Sequence, residues 1–111
     1  MDSILDKRKL VKNLLTDYSK LKPAYGDFES RLVFDDEHGS YTLLEFGWLD
    51  NKRTHDSLIH IDIIDDKIWI QQDSTEDGIA YELVEAGVPK ANIVLGFRPE
   101  KLRPFTGFGV N

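Results

Sequence analysis

His60 and Asp62 stand two residues apart in the run Ile59-His60-Ile61-Asp62-Ile63. On an extended strand both side chains leave the same face. An imidazole and a carboxylate so placed could donate two metal ligands, or the carboxylate could orient the imidazole as a base. Gln71, in the next apolar run, falls on the same face. A third strong ligand is not evident, because His38 belongs to a distant turn and His55 lies outside the hairpin. The chain has no cysteine, so it offers neither a thiolate nor a disulfide. Gly47, Gly78 and Gly96 are dispersed and form no phosphate loop. No Ser-His-Asp set can be placed on a nucleophile turn. The His60, Asp62 and Gln71 cluster therefore reads first as a cross-strand hydrogen-bond network and second as a site. No catalytic residue, metal or cofactor is assigned, and the chain is predicted not to be an enzyme.

A hairpin must position these residues. Ile59, Ile61 and Ile63 alternate with polar residues, the period of a half-buried strand. Asp65-Asp66 supplies a two-residue turn. With that turn Ile64 pairs with Lys67, Ile63 with Ile68 and Ile61 with Ile70, while the other face pairs Asp62 with Trp69 and His60 with Gln71. Asp73-Ser74-Thr75 can cap a following helix, and Glu76 and Asp77 suit its positive end. Ile79, Ala80, Leu83 and Val84 form its apolar stripe. Gly87 can end it in the left-handed conformation, with Val88 folding back on Leu83 and Pro89 blocking continuation.

The rest of the chain is built to pack on that unit. Residues 3–21 read as a helix capped by Ser3, with Leu10, Val11, Leu14, Leu15, Tyr18 and Leu21 as the buried stripe. Pro23 stops it. Strands follow at about 29–35, 41–48, 54–63 and 67–72, joined by short turns into an antiparallel meander. A short strand at 92–97 leads into an aromatic, glycine-rich tail too apolar to stay undocked. The fold class is α+β: an N-terminal helix, a four-stranded antiparallel meander, a second helix, a short C-terminal strand and a tail, in one domain over 1–111.

The 111 residues carry a formal net charge of −6, unevenly spread. Residues 1–22 hold six basic and three acidic side chains, residues 23–97 five and sixteen, and residues 98–111 three and one. Either the basic ends fold back on the acidic centre, or the acidic sheet meets a basic partner. Lys7, Arg8, Lys9 and Lys12, with Arg98, Lys101 and Arg103, are the residues an alternative DNA-binding reading would use. General repulsion works against that reading, so no direct DNA binding is expected. No apolar run approaches the roughly 20 residues of a membrane span. The start lacks a hydrophobic signal core, so a cytoplasmic protein is expected.

The meander is apolar on both faces, and two short helices cannot cover both. Phe46, Trp48, Phe105 and Phe108 are the residues expected to be left over, as a surface for a protein partner or for closure into a two-fold homodimer.

Three ordered motifs carry a family resemblance. They are H-I-D-I…K-I-W-I-Q from His60 to Gln71, D-x-T-E-x-G-I-A from Asp73 to Ala80, and L-V-x-A-G-V-P-K…I-V-L-G-F from Leu83 to Phe97. With the opening helix, the K-P-x-Y-G-D turn at 22–27 and the aromatic end, the chain resembles the XisI family, the fdxN-element excision controlling factors of cyanobacteria. Gln72-Asp73-Ser74 departs from the His or Asn and the Gly that are frequent there. The resemblance implies a regulatory protein, associated with programmed DNA excision during heterocyst development. It also implies a XisH-like protein as partner, which itself resembles restriction-type endonucleases. It brings no catalytic residues.

Overall fold

The computed structural model describes residues 4–21, 27–76 and 78–111. A helix α1 (Ile4–Ser19) precedes four antiparallel strands: β1 (Asp27–Asp35), β2 (Ser40–Leu49), β3 (Lys52–Ile64) and β4 (Lys67–Asp73). A short helix α2 (Ile79–Glu85) then leads through a single 3-10 turn to β5 (Ile93–Leu95). The meander exists as predicted, but the last strand does more than trail behind it. β5 lies parallel beside β4, with Ile68 opposite Ile93 and Trp69 opposite Val94, so the sheet has five strands in the order β1-β2-β3-β4-β5. A parallel neighbour needs a crossover, and α2 supplies it.

The β1–β2 turn takes four residues, 36–39, whereas the other two hairpin turns are two residues long with positive φ throughout: Asp50 and Asn51 at 49° and 68°, Asp65 and Asp66 at 51° and 66°. That geometry matches the twist of the flanking strands. The register runs as predicted from Ile64↔Lys67 to Ile61↔Ile70. It then departs: His60 pairs with Gln72, and Gln71 becomes the extra residue of a bulge. The bulge reverses the alternation of β4, so Asp73 opposes the buried Ile59 on the helix-bearing face. There its carboxylate accepts hydrogen bonds from the Thr75 and Ile79 amides. Asp73 thus caps α2 from outside the helix, which starts later than Glu76. Gly78, at φ 84°, makes the turn between them. Asp77, Ser3 and Pro23 lie outside the described residues.

A second bulge, at Leu58, separates Leu43↔Ile59 from Leu44↔Ser57. It moves His55 and Arg53 onto the face of Phe46 and Trp48. The opposite face carries the core. Tyr41, Leu43, Ile59, Ile61, Ile63, Ile68, Ile70 and Ile93 meet Val11 and Leu15 of α1 and Ile79, Ala80 and Leu83 of α2. Leu10, Leu14 and Tyr18 flank them half-buried, but Leu21, predicted in the stripe, is 64% exposed because the helix ends at Ser19. Ala86, Gly87 and Val88 donate back to Glu82, Val84 and Leu83, so α2 stops at Gly87 as expected.

Dimensions decide what stays open. At about 3.3 Å per residue, thirteen-residue β3 spans about 43 Å, close to the 45 Å long axis of the molecule. Sixteen-residue α1, at about 1.5 Å per residue, spans only about 24 Å. The distal part of β1–β3 therefore projects past the helices.

Candidate functional site

The outer face of β3 and β4 assembles the polar cluster and adds a member that sequence spacing did not show. Asp62 lies opposite Ser40 as well as Trp69. The Ser40 Oγ sits 3.2 Å, and Asp62 Oδ1 3.0 Å, from the same His60 Nε2. Gln71 Nε2 donates to Asp62 Oδ2 at 3.1 Å. A nucleophile relay needs the carboxylate and the hydroxyl on different ring nitrogens, so that the proton taken from one side is stabilised from the other. Here both compete for one nitrogen. The cluster is a cross-strand network that ties β2, β3 and β4 together.

Farther out on the same face, Phe46 stacks on His55 with centroids 5.6 Å apart. The guanidiniums of Arg31 and Arg53 lie 5.5 and 5.6 Å from its ring centre, and Arg53 also lies 5.5 Å from the Trp48 ring. Trp48 is 52% exposed. Its neighbours Asp27, Phe28 and Glu29 complete an open groove of about 600 Å³. Cations over aromatic faces, open to solvent, form a platform able to recognise another surface. The two tail aromatics separate. Phe105 is 86% exposed, whereas Phe108 is half-buried against the core and edge-on to Tyr81. Phe108 is thus not left over: Gly109 N donates to Ile93 O and docks the tail beside β5, which carries Phe108 inward.

The basic residues do not form one patch. Lys7 is 3% exposed, paired with Asp66 Oδ1 at 3.1 Å and donating to the Asp66 carbonyl. It is withdrawn from any DNA contact. Lys12 pairs with Asp36 at 2.6 Å, and Arg8 lies near the same carboxylate. The Lys12 hydrogen bond, then that of Tyr41, holds the Asp36 carboxyl below its usual range. Burial, reinforced by Asp36, pushes the Tyr41 hydroxyl up to about 12. Arg103 lies over Trp69 and Arg98 over Phe97, while Lys9 and Lys101 stay exposed. Helix and tail cations are largely spent inside the chain. Asp35, Glu37 and His38 bring possible ligand atoms within 4.8 Å at the β1–β2 turn. However, His38 already takes both oxygens of Asp35, through its amide and its ring.

Against known proteins, the XisI protein family model matches residues 1–110. The chain belongs to the XisI family. A solved XisI-like protein from Anabaena variabilis is 38% identical over 98% of this chain and all of its own, with a TM-score of 0.91. A second structure, the fdxN element excision controlling factor XisI from Anabaena variabilis, is 30% identical over 99% of this chain and all of its own, with a TM-score of 0.84. No functionally curated protein matches. The XisI family motifs noted in the sequence now have places. The H-I-D-I…K-I-W-I-Q run is the β3–β4 hairpin, D-x-T-E-x-G-I-A is the Asp73 cap with the Gly78 turn, and L-V-x-A-G-V-P-K…I-V-L-G-F carries α2, its stop and β5.

Arg31, Arg53 and Ser40 are the residues of this XisI-family chain that sequence reasoning passed over, and His55, set aside there as a ligand outside the hairpin, joins Phe46 instead. The Leu58 bulge had to be known before Arg53 and His55 could be placed with Phe46. Arg31 and Ser40 needed the β1–β2 and β2–β3 registers. Among the described residues no helix is long and apolar enough to cross a membrane.

Proposed function

We propose that this XisI-family chain is a non-catalytic regulatory protein of the cytoplasm that works by binding a protein partner, a XisH-like protein. Its role would match that named for its Anabaena relative, an excision controlling factor. One observation carries the reading: the outer face of β1–β3 presents Trp48, exposed beside a half-buried Phe46, with Arg53 over both rings and Arg31 over Phe46, and no described helix or strand lies over that face. Tryptophan and arginine are the residue types that most often anchor protein interfaces. The engaged cations of α1 and the shared Nε2 of His60 favour neither a DNA-contacting helix nor a hydrolytic relay.

Titrating the chain into a purified XisH-like protein from the same genome, by calorimetry, tests this. A complex is expected, and Trp48→Ala should weaken it about 30-fold, the equivalent of about 2 kcal/mol. No complex with the XisH-like protein, or one indifferent to Trp48→Ala and Arg53→Ala, would sink the proposal.

A further inference from the structure

The two edges of the sheet are treated differently. β5 is only three residues long, and the tail closes it through the Val94↔Gly109 bridge and the bond from Gly109 N to Ile93 O. β1 is nine residues long, pairs over its whole length with β2, and among the described residues has no strand beyond it. An edge of that length is a template for another strand. It holds no proline and no lysine to discourage one.

The sequence of β1 says which strand fits. Two copies pairing antiparallel about a two-fold axis must place like faces together, so only a residue, not a gap between residues, can sit on the axis. An axis at Glu29 or at Arg31 puts that side chain against its own copy. At Arg31 it also sets Asp27 against Asp35, and an axis at Leu32 sets Glu29 against Asp35. An axis at Phe28 sets Asp27 against Glu29, and one at Val33 sets Arg31 against Asp35 but pairs only residues 31–35. An axis at Ser30 pairs the longer stretch 27–33 and puts Glu29 opposite Arg31 twice and Phe28 opposite Leu32 twice, with no like charges facing. Opposite charges and apolar pairs directly across a ladder stabilise it, and like charges destabilise it.

We infer that this chain forms a two-fold dimer with a second copy of itself through β1, centred on Ser30, which joins two five-stranded sheets into one. Glu29 and Arg31 leave the same face as Phe46, and Arg31 already lies 5.5 Å from that ring. The dimer therefore presents two aromatic platforms on one continuous outer face. The inference is independent of which partner those platforms bind.

Sedimentation equilibrium between about 1 and 100 µM measures it, since association depends on protomer concentration. The natural chain should be dimeric. Glu29→Arg alone and Arg31→Glu alone should each weaken the dimer about ten-fold or more, because like charges then face twice. An equimolar mixture of the two variants should recover a heterodimer, which also shows that both are folded. As a second readout, the cysteine-free chain allows a clean Ser30→Cys variant. The axis brings its thiols within disulfide reach, so mild copper–phenanthroline oxidation should give a covalent dimer, and Leu32→Cys should not. A monomer throughout the concentration range, a dimer indifferent to both charge reversals, or crosslinking no faster through position 30 than through position 32 would overturn the inference.

Discussion

Lys7 offers the sharpest test of how this fold disposes of its charge. Its ammonium is buried on a hairpin turn fifty-nine residues away, bonded to the carbonyl of Asp66 and paired with its carboxylate at 3.1 Å. Replacing it with Met keeps most of the stem and removes the charge. A hydrogen bond to a charged group contributes about 1.5–3 kcal/mol, and the half-exposed Asp66 carboxylate can recover water, so Lys7→Met should cost about 1–2 kcal/mol. Lys7→Ala also removes about three buried methylenes at about 0.8 kcal/mol each, for a total of about 3–4 kcal/mol. Asp66→Asn keeps the carbonyl acceptor and the tolerance for φ 66°, losing only the ion pair, and should cost about 0.5–1 kcal/mol. Urea unfolding checks the ranking, and a parallel thermal scan should show about 4 °C lost per kcal/mol. High salt should change the Lys7→Met penalty little, since a buried charge is weakly screened. A neutral Lys7→Met variant, or an Asp66→Asn penalty larger than that of Lys7→Ala, would refute the anchoring role.

Asn51→Gly should stabilise the chain by about 0.5–1 kcal/mol in urea unfolding, because glycine adopts φ 68° without strain. Gly47→Ala should do the reverse: the added Cβ would lie 1.9 Å from the Asp27 carbonyl, forcing β1 off β2 at a cost of about 3 kcal/mol or more, visible as early amide exchange in β1. Changing His60 and Asp62 together to Thr and Val should leave a folded domain within about 1–3 kcal/mol of the original, since both halves of the pair go at once; an unfolded double variant would contradict the network reading. Tyr18, raised to about 12 by burial and then by Glu82, and Tyr41, raised to about 12 by burial and then by Asp36, titrate above the ordinary 10.0. A raised folded pKa stabilises fully below the unfolded value and is lost as pH climbs through the folded one. Stability should therefore fall between pH 10 and about 12, in step with late tyrosinate absorbance.

Local signals in the sequence determined a good part of this protein. Isoleucine alternation and a two-residue Asp-Asp turn set the β3–β4 register from Ile64 to Ile61, because side-chain period and turn length leave one choice of buried face. Gly87 and Pro89 ended α2, and the stripe of Val11 and Leu15 put α1 on the sheet. The family, too, was legible in ordered motifs. The bulges at Leu58 and Gln71 were not, because each answers to strand twist and to what packs above, not to the residue inserted. Those two residues decided which face every side chain beyond them took: His55 and Arg53 joined Phe46, and Asp73 reached the amide of Ile79. Tertiary structure alone made β5 a parallel neighbour of β4 and brought Ser40 to His60. It also sank Lys7 against Asp66, since pairing across fifty-nine residues depends on where a helix lands and leaves no periodicity to read.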